Sequence, residues 1–285
     1  MESYKDFYEK KYKNNFYSIN RSPYRWFSNY VKLKMIKKFI KRVGNKGTLL
    51  DAGGGLADWS YLFLNQFKKV IVLDISKTAL KLIPEKEIIK KQGSVTKIPL
   101  KSNSADCILL IDVFEHIHKK DLLKMLREME RVLKEGGLVI IYTSHYGWGI
   151  RLAFNRLLGR LNGRLRRNEV SSSGHVNRMK LSEIRELVRM SSLEIEDYCY
   201  YSHFFQPLTE YPKDIVATII DSFMKVKKVR KGQGIKDDLN KRRVLPNSMK
   251  MVFSLLSKVS YLDVFFFGKA IPGDTIFFTL RKPPL

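Results

Sequence analysis

The residues of this chain best suited to chemistry are Asp51-Ala52-Gly53-Gly54-Gly55 and, further on, Asp74. Three successive glycines let a backbone turn sharply and approach a ligand closely. They come after a short apolar run, Thr48-Leu49-Leu50, and the pattern beyond them reads as a helix through about residue 67. A helix starting there would offer its positive N-terminal end to the ligand. A second apolar run, Val70-Ile71-Val72-Leu73, ends on Asp74. An acid in that place, about twenty residues beyond the glycine turn, can accept hydrogen bonds from both hydroxyls of a ribose.

The histidines supply the other candidates. His145 comes after a strand expected at 138–142, at the edge of the sheet where acceptors bind in such folds. His175 precedes a helix expected at 181–191 and can face the same cleft. Both are candidate bases or acceptor ligands. His116, beside Glu115, reads as structural, His118 as part of a solvated turn, and His203 carries no signal. Asp112, ending a strand expected at 107–111, reads as bordering the ligand rather than as a base. No acid cluster of the kind that holds a divalent metal is apparent, so no metal is expected. Cys107 and Cys199 lie in apolar runs and read as small buried hydrophobes, not as a disulfide framework or a zinc site.

The elements that must position these residues alternate. Helices are expected at 3–20, with an aromatic face of Tyr4, Phe7, Tyr8, Tyr12, Phe16 and Tyr17, and at 24–42. Strands at 48–50, 70–73, 88–90, 107–111 and 138–142 alternate with helices after the glycine turn, at 76–83 and at 119–133. Lys134-Glu135-Gly136-Gly137 reads as the turn into the strand at 138–142. The helix at 181–191 leads to a strand at 194–201, and a last strand spans 275–280. This order predicts an α/β, Rossmann-like, mostly parallel seven-stranded sheet with helices on both faces. Helical insertions are expected after the fifth strand and between the last two. One domain is expected: a helical cap at 1–46, a cofactor-binding core at 47–145, a basic amphipathic insertion at 146–180 and a second insertion or lid at 202–274.

On these residues the chain resembles the class I S-adenosylmethionine-dependent methyltransferases, most closely their small-molecule branch. Leu49-Leu50-Asp51-Ala52-Gly53-Gly54-Gly55 is similar to the family's hydrophobic-hydrophobic-Asp-x-Gly-x-Gly motif. Gly93-Ser94-Val95 resembles its Gly-Asp-Ala segment, and Ile98-Pro99 with Ser104-Ala105-Asp106 resembles the Leu-Pro and Ser-Phe-Asp landmarks downstream of it. Asp112-Val113-Phe114-Glu115-His116 resembles its Leu-Glu-His motif, and Leu133-Lys134-Glu135-Gly136-Gly137 its Leu-Lys-Pro-Gly-Gly turn. The resemblance runs from residue 48 to about 142 and implies S-adenosyl-L-methionine as cofactor. It implies that Asp51 holds the methionine amino group, that Gly53 and Gly55 line methionine and ribose, and that Asp74, with Ile75 next to it, binds the ribose. Ser94 falls where the family has the acid that meets the adenine amino group, so adenine binding would rest on its hydroxyl and on backbone near Val95. The chain lacks the Asn/Asp-Pro-Pro-Tyr/Phe loop and the Pro-Cys nucleophile of several nucleic-acid methyltransferases.

Charge bears on the acceptor. The 285 residues include 53 basic and 28 acidic ones, a net charge of +25, which favours polyanions or anionic surfaces. On a helical wheel of 150–167, Ile150, Phe154, Leu157, Leu158, Leu161 and Leu165 share one arc. Arg156, Arg160, Arg164 and Arg167 flank it. Such a helix suits an anionic membrane surface, or a lid packed on the core with its arginines in solvent. Lys225–Lys231 and Lys241–Arg243 are further basic runs, and Met249–Phe267 is apolar but interrupted by Lys258 and Asp263. No run reaches the roughly 18 uncharged apolar residues of a membrane span, and the polar N-terminus does not read as a secretory signal. The expected setting is cytoplasmic, with peripheral membrane attachment. The expected function is methyl transfer to a small or lipid-linked acceptor. The alternatives are an RNA methyltransferase that tracks phosphates and a non-catalytic binding protein that keeps the fold.

Overall fold

The computed structural model describes residues 4–14, 29–84, 87–146, 174–201 and 247–284. Its centre is a seven-stranded sheet of β1 (Thr48–Ala52), β2 (Lys69–Asp74), β3 (Ile88–Gln92), β4 (Ala105–Ile111), β5 (Leu133–Ser144), β6 (Glu194–Tyr201) and β7 (Thr275–Arg281). The spatial order is β3-β2-β1-β4-β5-β7-β6. β7 runs antiparallel to β5 and β6, and the other pairs are parallel. The expected Rossmann-like sheet is therefore present, with its one reversed strand near the C-terminal edge. Strand order reverses between β1 and β4, and in an open sheet the crevice at such a switch point takes the ligand.

Helices cover both faces because the inner strands are apolar on both. Every residue of β4 is buried. One face packs against α4 (Lys119–Val132), which buries Leu122, Met125, Leu126, Met129 and Val132 at helical spacing. The other packs against α2 (Tyr30–Ile40), whose Met35, Ile36 and Phe39 meet Leu49, Cys107 and Phe277. The remaining α-helices among the described residues are α1 (Tyr4–Asn14), α3 (Lys77–Lys81), α5 (Leu181–Arg189), α6 (Asn247–Ser260) and α7 (Leu262–Phe267). Among the described residues, no helix is long and apolar enough to cross a membrane.

The structure corrects two local expectations. No α-helix comes after the glycines: residues 56–67 form turns and a short 3-10 segment, Ser60–Leu62. Ala57 adopts a left-handed φ of 63°, which an α-helix does not accommodate. Leu56, Trp59, Phe63 and Phe67 are buried all the same, so burial of apolar side chains replaces the helix. The charge of a helix end is thus missing beside the glycine loop. Lys134–Gly137 lies within β5 rather than before it. Gly136, at φ 68°, donates to Lys282 O and Lys282 N donates to Gly137 O, so the strand stays paired through the kink. The apolar stretch 249–267 is divided at Tyr261 between α6 and α7. The amphipathic stretch 150–167, the basic runs 225–231 and 241–243, and His203 lie outside the described residues.

Candidate functional site

The glycine loop is shaped by its two acids. Asp51, one residue before the end of β1, is in register with Val72 of β2 and Leu109 of β4, close to the C-terminal end of the parallel strands. Gly53 and Gly54 then both donate to Leu73 O, at 2.7 and 3.1 Å, folding the loop onto β2. Gly53 has φ 77° and lies so close to Val113 that a Cβ would stand 2.5 Å from Val113 Cγ2. A Cβ on Gly54 would stand 2.6 Å from Asp51 Cγ. Both contacts are far inside normal packing, so the loop excludes side chains by sterics as well as by φ.

Asp51 is 1% exposed and accepts a 2.6 Å hydrogen bond from Ser60 Oγ. Burial, opposed by the Ser60 hydrogen bond and reinforced by the charges of Asp74 and Asp58, raises its pKa to about 7. Asp74 is 7% exposed and ties two loops together. Its Oδ2 accepts from Gly55 N at 2.8 Å and its Oδ1 from Ser76 N at 2.8 Å. Two carboxylates on adjacent parallel strands thus face one crevice, with bare glycine backbone between them.

α1 lies across this crevice. Its Tyr12 sets its hydroxyl against Gly55 beside Asp74. Burial, then the charges of Asp74, Asp58 and Asp51, holds that phenol far above its ordinary value. Glu9 straps α1 down: it accepts from Lys77 N at 2.6 Å and from the Thr78 hydroxyl. Tyr8 meets His116 edge-on, with ring centroids 5.8 Å apart. The helix therefore spans from the β2 end of the crevice to the β4 end. Tyr12 and Glu9 have no chemical signature in the sequence beyond the aromatic spacing of 3–20.

The other expected cofactor residues line the same rim. Ile75 is half-buried, and its carbonyl accepts from Gln92 Nε2 at 3.3 Å. Ser94 Oγ accepts from Thr96 N at 3.2 Å and lies 2.8 Å from Thr96 Oγ1, while Val95 is buried. Much of the Ser94 hydroxyl's capacity is already used locally. Asp112, at φ 56°, pairs with Lys32 Nζ at 2.6 Å. Lys32 also lies 4.3 Å from the centroid of the Tyr142 ring. Burial works against the Lys32 charge, yet Asp112, Tyr142 and Glu115 outweigh it and hold the ammonium above its ordinary value. Lys32 had one sequence signal, as a cation among the buried Val31, Leu33, Met35 and Ile36 of α2.

The structure separates the histidines. His145 is 2% exposed; its Nδ1 lies 3.0 Å from Gly273 O, and its Nε2 accepts from Leu181 N at 3.2 Å. Burial, ahead of the opposing hydrogen bond to Gly273, lowers its pKa. With both ring nitrogens engaged by backbone, His145 stitches β5 to α5 and to the segment before β7, and offers nothing to an acceptor. His175 instead joins His116 at the end of β4, with ring centroids 4.8 Å apart. His116 Nδ1 lies 2.9 Å from Gly174 O. Val176 N and Asn177 N both donate to Glu115 O, at 2.9 and 3.1 Å, and fasten this segment to β4. Glu115 is buried and accepts from Thr143 Oγ1 at 2.9 Å.

Residues 50–141 match the model of a methyltransferase domain family. A Methanocaldococcus jannaschii protein, MJ0638, is 31% identical over 151 residues, a match spanning 50% of this chain and 60% of that protein. Among solved structures, a Haemonchus contortus phosphoethanolamine N-methyltransferase superposes with a TM-score of 0.58 at 17% identity. That alignment covers 99% of this chain and 60% of the other, which was solved with phosphomonomethylethanolamine and S-adenosylhomocysteine. The [4+2]-cyclase SpnF superposes with a TM-score of 0.52 at 15% identity, over 88% of this chain and 81% of the other.

Proposed function

Taking residues 50–141 as the class I methyltransferase domain they match, we propose that this chain binds S-adenosyl-L-methionine and methylates a small or lipid-linked acceptor at an anionic membrane surface. The observation that carries the cofactor reading is the pair Asp51 and Asp74 flanking the squeezed glycine loop. The donor set fits the group. A buried carboxylate suits the ammonium and sulfonium charges of the cofactor, a second suits ribose hydroxyls, and side-chain-free backbone admits the chain between them.

When bound, the cofactor supplies an electrophilic methyl group, so the chain's residues have only to orient and enclose. Asp51 would hold the ammonium and Asp74 the ribose. The Tyr12 hydroxyl holds the place beside Gly55 that a ribose hydroxyl would need, so it would have to withdraw to admit the cofactor and would then be placed to exclude water. The acceptor approaches over the ends of β4 and β5. Lys32 gives that side a cation.

Two observations favour an acceptor at a lipid surface. The net charge is +25. On α6 and α7, Met251, Leu255, Phe265 and Phe266 are 72%, 62%, 74% and 58% exposed, well beyond what scattered surface apolar residues require. Flotation with vesicles of phosphatidylglycerol and phosphatidylcholine tests this. Binding that falls with salt and is lost in the Phe265→Asp/Phe266→Asp double variant is the expected result. No flotation at low salt contradicts the membrane part, and salt-sensitive retention on RNA in its place transfers the basic surface to the RNA reading.

A further inference from the structure

Glu115, His116 and His175 converge at the C-terminal end of β4, outside the crevice between Asp51 and Asp74. Each offers one ligand atom, and the three atoms lie within 4.8 Å of one another. The geometry points to a divalent-cation site on these three side chains, suited to zinc and related first-row ions, beside the place where the acceptor docks.

The donor set comes first. Two imidazoles and one carboxylate form a common three-ligand set for such ions, and three protein ligands leave a position open for water or substrate oxygen. Orientation comes second. A ring that donates from Nδ1 to a carbonyl carries its lone pair on Nε2, and metal-binding histidines are held in just this way by an outer carbonyl. His116 has that carbonyl, Gly174 O at 2.9 Å. Glu115 has the Thr143 hydroxyl on one carboxylate oxygen. The hydrogen bonds from Val176 and Asn177 to Glu115 O fix the backbone that carries His175.

Distance is compatible. At zinc–ligand lengths of about 2.0–2.2 Å, ligand atoms around a tetrahedral ion stand about 3.3 Å apart. Closing from 4.8 Å asks for a shift of about 1.5 Å, within the reach of a χ adjustment at the half-buried His175. Charge points the same way. Glu115 is 2% exposed, its hydrogen-bond partner is a neutral hydroxyl, and the nearby charge of Lys32 is shared with Asp112. A buried carboxylate calls for a nearby positive charge, and a dication supplies it. The set is hard to see in the sequence because His175 comes from within the 146–180 insertion, far along the chain from Glu115 and His116.

Cation binding stands by itself; a role in gripping an oxygen of the acceptor rests on the methyl-transfer reading above. The full chain, stripped with chelator, is titrated calorimetrically with zinc and followed by visible absorption with cobalt. Saturable binding of a single ion, weakened about tenfold or more in His175→Ala and in Glu115→Gln, is expected. His175 is half-buried in a loop, so His175→Ala is expected to fold, and its thermal transition checks this. No saturable uptake by the parent chain, or uptake unchanged in both variants, overturns the site. S-adenosylmethionine affinity, titrated separately in each sample, reports on the methyl-transfer reading, so the two failures can be told apart.

Discussion

Asp51 and Asp74 have one side chain type and two different surroundings. Asp51 sits under the loop with a hydroxyl donor, and its pKa rises from the ordinary 3.8 to about 7. Asp74 takes two backbone N–H groups, from Gly55 and Ser76. The raised pKa has a definite sign. Between the two values the folded chain binds more protons than the unfolded one, so this group's contribution to stability falls as pH rises through that window. On the proposed reading, cofactor binding runs the other way, because the ionised form would grip the ammonium. From roughly pH 5 to pH 8, the parent chain is expected to lose more stability than Asp51→Asn, while its affinity for S-adenosylmethionine increases. Urea unfolding and calorimetry at each pH measure both slopes. Parallel stability slopes in the two proteins would show that Asp51 does not titrate in this window.

At the scale of elements, α1 is the part with a consequence for rates. It is strapped by Glu9 across the start of α3 and sends Tyr12 into the crevice. Glu9→Ala removes the strap without touching the acids. Faster hydrogen exchange in residues 4–14 and faster cofactor association in stopped flow are expected, and unchanged rates would show that α1 does not gate entry. The sheet itself was legible, because runs such as Cys107–Ile111 are apolar on both faces and α4 repeats its apolar residues at helical spacing. The stretch after the glycines was not. Leu56, Trp59, Phe63 and Phe67 have the spacing of a helix, yet a left-handed Ala57 and tertiary burial decide their backbone. Among the proposed site residues, the juxtaposition of Asp51, Asp74 and the glycines was legible because strand, turn and acid are close in sequence. Tyr12, Lys32 and the pairing of His175 with His116 are contacts between distant segments, which no local pattern encodes. His145 is the converse: its sequence position suggested chemistry, and its partners Gly273 O and Leu181 N show a structural tie.

At the scale of the whole molecule, the fold alone does not decide the reaction. The solved structures that share it include an N-methyltransferase and a [4+2]-cyclase, both under 20% identical to this chain. What distinguishes the readings is whether the glycine loop between β1 and β2 takes the cofactor through its two acids. Calorimetric titration with S-adenosylmethionine, parent chain against Asp74→Asn, measures that directly. The expected result is binding of one cofactor per chain, with affinity reduced about tenfold to a hundredfold in the variant, in line with loss of a charged hydrogen-bond acceptor. Absence of binding by the parent chain, or equal affinity in a folded Asp74→Asn protein, would contradict it.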